Sequence, residues 1–257
     1  MPSDLSAGPA PTVRLLGVDF DGLRLDEAVD RLAARPAPAP FAYVVTPNSD
    51  HLVRLSASPD LRPLYENAAL RLLDSRVVAR LARVFGLAAP PVVTGSDLTA
   101  ALFDRVVGPD DPLTMLGGSE EVAAALAAKY RLTRLAHHNP PMGFDLDPAA
   151  LEAALQFLET HPARFTFLAV GSPRQEVVAE ALVRRGRATG IGLCIGASLL
   201  FLSGGARRAP VAVQRAGLEW VWRLAGDPKR LARRYLLDGP RIVQLLRQEA
   251  RRERRPA

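Results

Sequence analysis

Apolar residues recur along this chain in two rhythms. Short continuous apolar runs at Phe41 to Val45, Leu113 to Leu116, Phe165 to Val170 and Ile191 to Ile195 predict strands buried on both faces. Pro91 to Thr94 and Leu132 to Ala136 read as further short strands. Between them lie stretches with helical spacing: Leu25 to Ala34, a stretch opened by Ser58 and Pro59, Ser75 to Phe85, a helix after Gly95, Glu120 to Tyr130, Asp147 to Thr160, and from the Gly171 turn to Arg187. Arg35 to Pro40 reads as a Pro-rich linker. From Val211 onward the pattern is helical, with Gly239 and Pro240 expected to break it. Strand alternating with helix predicts an α/β fold: a Rossmann-like parallel sheet flanked by helices, joined by right-handed crossovers, with a helical C-terminal appendage.

Charge changes that picture at the C-terminal end. The 257 residues carry a net +6, but the segment from Arg207 onward holds 14 Lys+Arg against 5 Asp+Glu and the remainder is mildly acidic. The division expected is a mobile N-terminal segment over 1–12, a core over 13–206 and a basic helical appendage over 207–257. A basic appendage calls for an anionic partner: lipid head groups, a diphosphate or nucleic acid. Trp220, Trp222 and Tyr235 lie among its arginines. Those rings favour a bilayer interface, which points to a membrane surface rather than to nucleic acid. The tail carries no groove-reading motif. The first twelve residues lack a basic and then apolar leader, and Ile191 to Leu202 is too short to span a bilayer. The expectation is a cytoplasmic protein, peripheral on the inner face of the membrane. One cysteine, Cys194, leaves no disulfide within the chain, and neither the histidines nor Asp145 and Asp147 have convincing metal spacing. No metal and no cofactor are expected. His137 and His138 read as a loop at a strand end.

In parallel sheets ligands bind where strands end and helices begin. Four such turns carry small or polar residues: Thr46-Pro47-Asn48, Thr94 to Asp97, Leu116 to Ser119, and Gly171 to Gln175. Glycines there let a ligand approach the backbone, and helix N-termini attract phosphate. The Gly117-Gly118 turn is not a dinucleotide fingerprint. Two candidates have plain structural readings as well. Ser172 and Gln175 have capping-box spacing, and Asp74 precedes a helical stretch as an N-cap would.

Four blocks together resemble the WecG/TagA/CpsF family, glycosyltransferase family 26: Val45 to Asn48 with His51 to Val53; Val93 to Asp97; Gly171 to Glu176; and Arg208 to Pro210 through Gly217 to Trp220, on to Arg223, Arg230 and Arg233 to Tyr235. The resemblance implies an inverting transfer from a UDP-sugar, often UDP-N-acetylmannosamine, to a polyprenyl-diphosphate-linked saccharide in cell-surface polysaccharide synthesis. It implies that Asp74 is the catalytic base. Thr46, Asn48, Gly95, Gly171, Arg174, Gln175 and Glu176 then form the substrate-binding set. Arg223, Arg230 and Arg233 would face a diphosphate and the membrane, and self-association into a homo-oligomer is possible. The chain departs from the family's usual residues at Asp50, at Ser75, and at Leu199-Leu200-Phe201, where the family has Phe-Asp-Phe. The last change removes an acid, so a catalytically degenerate UDP-sugar-binding scaffold is the first alternative; a nucleic-acid-binding protein using the basic tail ranks below it.

Overall fold

The computed structural model describes residues 10–205, 213 and 228–254, with side chains in the last stretch from 239 onward. Six parallel strands form the central sheet in the order β4-β3-β8-β7-β5-β6. They are β3 (Ala42–Val45), β4 (Leu70–Arg71), β5 (Leu113–Leu116), β6 (Leu135–His138), β7 (Phe165–Leu168) and β8 (Ile191–Cys194). Every residue of β3, β5, β7 and β8 is buried, whereas those of β6, an edge strand, are half-buried. Continuous apolar runs therefore mark the strands covered on both faces.

Successive side chains go to opposite faces. Tyr43, Val45, Leu116, Leu168 and Cys194 enter one core layer. Val44, Met115, Phe165, Phe167 and Leu193 enter the other. The first layer is closed by α2 (Ser49–Ala57), α4 (Arg76–Val84), α7 (Pro148–Thr160) and α8 (Arg174–Arg185). The second is closed by α1 (Leu25–Ala33), α5 (Gly95–Arg105), α6 (Glu120–Tyr130) and α9 (Ser198–Leu202). The neighbours β3 and β8 thus send their following helices, α2 and α9, to opposite faces. That divergence makes the carboxyl ends of β3 and β8 a topological switch point, the place where such sheets bind ligands.

Several boundaries differ from the sequence expectation. Pro91 to Thr94 forms only an isolated bridge, Leu73 to Val92. The sixth strand starts at Leu135 rather than Leu132, because Arg131 ends α6 in the left-handed region and Thr133 is held by Pro109 and Asp110. His137 and His138 are the last two residues of β6, not a loop; their ladder partners are Met115 and Leu116. The stretch after Ser58 is a single 3-10 turn followed by the short α3 (Pro63–Glu66).

A hairpin near the start of the described residues packs against the last helix. Thr12 opens β1 (Thr12–Leu15), which pairs with β2 (Val18–Asp21) through a two-residue turn. Leu16 and Gly17 have φ of 51° and 76°, as a primed hairpin turn requires. Leucine is a poor residue for that conformation, which is why no turn signal stood out. The Leu16 N–H donates to both oxygens of Glu249, at 3.0 and 2.8 Å. Glu249 lies on α10 (Pro228–Glu253), which runs through Gly239 and Pro240 without a break. Pro240 removes one backbone donor, but Ile242, Leu246 and Ala250 form a buried stripe that packs into the first core layer. That burial outweighs the local preference for a break. Among the described residues no helix is long and apolar enough to cross a membrane.

Candidate active site

The loops leaving β3, β4 and β8 meet at one point, the start of α5. Asp74 lies just past β4. Its backbone N–H donates to Pro47 O at 3.0 Å, which ties it to the Thr46-Pro47-Asn48 loop. Its side chain does not cap α4. Ser75 does, accepting from the Val78 N–H at 3.2 Å. The Asp74 carboxylate instead accepts the backbone N–H of Gly95 at 3.1 Å, in the first turn of α5. An anion there is favoured by the helix dipole. A methyl group on Gly95 would stand 3.0 Å from Thr46 Oγ1, 3.4 Å from Ser198 Oγ and 3.7 Å from Asp74 Oδ2. Glycine at this position is what lets the three oxygen-bearing side chains close around a helix N-terminus.

Thr46 is buried and donates to Cys194 O at 3.2 Å. Ser198 donates to Ile195 O, and its hydroxyl is 3.3 Å from that of Ser96. Asn48 is the N-cap of α2, accepting from the N–H groups of Asp50 and His51. The departure at Asp50 thus falls in the first turn of α2, where Asp50 faces Arg54 at 3.9 Å.

The β7 loop forms the adjoining wall. Gly171 has φ +80°, and a methyl group there would meet no atom within 4 Å, so the turn faces open space. The capping box expected of Ser172 and Gln175 does not form, because the N-cap of α8 is Pro173. Ser172 accepts from Arg54 at 2.9 Å instead. Gln175 is buried; its Oε1 accepts from the Gly196 N–H at 3.0 Å, and its Nε2 donates to Glu176 Oε1 at 2.9 Å. The loop 194–198 therefore touches the Gln175 side through Gly196 and the Asp74 side through Cys194 and Ser198. It is the shared wall of both halves.

Glu176 is 1% exposed, and its Oε2 is buried without a hydrogen bond. Burial pushes its carboxyl above the usual range, against the opposing pull of Gln175 and, more weakly, of the nearby Ser172 hydroxyl. The carboxyl is enclosed behind Gln175, whose amide N–H it accepts. A raised folded-state value means that the folded protein holds this proton more tightly than the unfolded chain. Its unfavourable effect is absent below the ordinary glutamate range and develops as pH rises through the raised value. Glu176→Gln should therefore stabilise the protein at pH 7 relative to pH 4, by roughly 1–3 kcal/mol, the scale of a buried unpartnered polar atom. Paired thermal melts at the two pH values check this; an equal shift at both would mean that the carboxyl does not ionise in the fold.

Of the other predicted residues, Arg174 turns to Asp145, with Nε 2.9 Å from Oδ1, and so reaches toward the β6 loop rather than the Asp74 cluster. Arg223 lies outside the described residues, as do the side chains of Arg230 and Arg233 and most of the Arg208-to-Tyr235 block. Ser198 and Gly196 were missed by sequence. Their signal was a fifth small-residue turn, Ile195 to Ser198, at the end of the last strand. Cys194 is fully buried, with its thiol pushed up by burial and then by Glu176, which makes it a core residue and not a nucleophile. Among the described residues no cluster of three or more His, Cys, Asp and Glu side chains is placed to hold a metal ion.

A parallel α/β sheet with polar loops converging at its carboxyl edge defines the Rossmann-like class. Residues 13–256 match the glycosyl transferase WecG/TagA/CpsF family. The chain belongs to that family of glycosyltransferases.

Proposed function

We propose that the protein is an inverting hexosyltransferase that moves a sugar, N-acetylmannosamine or another hexose, from a UDP-sugar to a polyprenyl-diphosphate-linked saccharide in cell-surface polysaccharide synthesis. The observation that supports this best is the meeting of Asp74, Thr46 and Ser198 at Gly95, beside the Gln175–Gly196 bond. In this reading Asp74 takes the proton of the acceptor hydroxyl as that oxygen bonds to the anomeric carbon. The bond from that carbon to the UDP oxygen breaks on the opposite face, so configuration inverts and UDP leaves with the electron pair.

The departing diphosphate carries negative charge, which the positive end of the α8 dipole beside the open Gly171 turn can receive. Thr46, Asn48 and Gln175 shape the pocket. Arg223, Arg230 and Arg233 meet a diphosphate from the appendage, as the protein sits on the inner face of the membrane. No nucleic acid, metal or cofactor is required, and self-association is compatible with the scheme.

The test is enzyme-dependent UDP release from a panel of UDP-sugars, with a polyprenyl-diphosphate-saccharide acceptor in mixed micelles. Release with one donor that depends on the acceptor supports transfer. UDP-sugar binding with no release across acceptors would instead favour the scaffold reading, which the partly exposed Leu200 motivates, since the family places an acid at that position.

A further inference from the structure

The turn between β6 and α7 holds two large apolar side chains in solvent. Met142 is 90% exposed and Leu146 is 86% exposed. Their exposure is built in. Phe144, between them, is buried in the first core layer and anchors the turn. Phe144 N–H donates to Pro141 O, Leu146 N–H to Gly143 O and Asp147 N–H to Phe144 O. The Asp145 carboxylate is clamped by Arg174 at 2.9 Å, and Asp147 caps α7. Pro141, Pro148 and Ala149 are exposed beside them. The result is a rigid apolar knob.

The knob stands on the carboxyl edge of the sheet, the edge that carries Asp74, Gly171 and Gly196. β6 is two strands from β7 in the sheet order, which puts the knob roughly 10 Å from the Gly171 turn along the edge. Through Arg174 it is joined to the first residue of α8, next to Gln175.

We propose that Met142 and Leu146 are a membrane-insertion point, seating in the head-group and acyl boundary of a bilayer and setting the active-site edge toward it. Two side chains are far too little for a stable protein partner, which needs about 800 Å² on each side. They are enough for an interfacial foothold, because burying one large aliphatic side chain shifts a partition constant by about tenfold or more. The knob presents no lysine or arginine and carries Asp145, paired with Arg174, and the exposed Asp147, so anionic lipid does not strengthen its own contribution; the basic C-terminal segment adds attraction only where head groups are negative. This inference rests on the lipid-linked acceptor proposed above, since a bilayer on this side brings such an acceptor to the active-site edge.

The experiment is co-sedimentation of the full chain with vesicles of phosphatidylcholine, alone or with about a third phosphatidylglycerol. Met142→Ser with Leu146→Ser should lower partitioning at least about tenfold on both vesicle types, with an unchanged melting temperature. A second probe is Met142→Cys carrying a polarity-sensitive fluorophore, which labels selectively because Cys194 is buried. Its emission should shift to the blue on adding vesicles. Unchanged partitioning of the double variant, no partitioning of the parent protein, or no spectral shift would overturn the proposal. So would loss of self-association by light scattering with vesicle binding intact, which would assign the knob to a second copy of this chain. Transfer is read separately: failure of UDP release with every acceptor would sink the enzymatic reading while leaving the vesicle result standing.

Discussion

Asp74→Asn should lower the rate of UDP release by about 10²–10⁴-fold while leaving UDP binding and folding nearly unchanged. The amide oxygen of asparagine can still accept the Gly95 N–H that the carboxylate accepts at 3.1 Å, so the start of α5 keeps its bond. What disappears is the ability to take a proton from an attacking hydroxyl. Asp74→Ala separates the two roles. It removes the base and also the acceptor for Gly95, and should cost about 1–2 kcal/mol of stability in addition to activity. Steady-state kinetics with a titration of UDP, and a denaturant melt of each variant, read the two effects independently. Full turnover by Asp74→Asn would make the residue a brace for the α5 N-terminus and remove it from the chemistry.

The two readings of Asp74 show where the sequence was informative and where it was not. An acid before a helix is by default a cap. What decided the matter was that Ser75 is also a good cap and stands one residue nearer the helix it serves. Asp74 was left to reach Gly95, which is far along the chain but close across the sheet edge. The β-strands were legible because burial on both faces writes continuous apolar runs. β4 was not, since two residues are too short to show a period. The β1–β2 hairpin was hidden for a different reason: Leu16 sits in a turn position that glycine or asparagine normally signals, and it is held there by Glu249 at the other end of the chain. Glu249 is itself half-buried and pushed above the usual carboxylate range by that burial, with the Leu16 N–H opposing.

The same distance problem explains Gln175. Its spacing from Ser172 satisfied a local rule completely, yet both side chains bond to partners elsewhere in the fold, Arg54 for Ser172 and Gly196 for Gln175. Local pattern supplied the position of the loop, and only tertiary placement supplied its role. Gly196 and Ser198 went unnoticed because a turn of Gly, Ala and Ser carries no charge to attract attention. They matter only because Thr46, Gly95 and Gln175 converge on the same loop.

That convergence makes Gln175→Ala the second large effect. The truncation leaves the Gly196 N–H without its acceptor and Glu176 Oε1 without its donor. A stranded buried polar group costs about 1–3 kcal/mol, so the pair should lower stability by roughly 2–4 kcal/mol at neutral pH and loosen the wall shared with Thr46 and Ser198. The loss should also depend on pH with a definite sign. The Gln175 amide is the strongest influence opposing the upward push of burial on Glu176. Without it, the carboxyl rises further above its unfolded value. The added cost then grows as pH increases through that window and vanishes below it, where Glu176 is protonated in both folded and unfolded chains. Adding Glu176→Gln should recover part of the loss, giving a coupling of about 0.5–3 kcal/mol in a double-mutant cycle at pH 7 that shrinks toward zero at pH 4. Strict additivity at both pH values would show that the two side chains do not act as a unit. A coupling that persisted unchanged into acid would assign it to packing, with the ionisation of Glu176 playing no part.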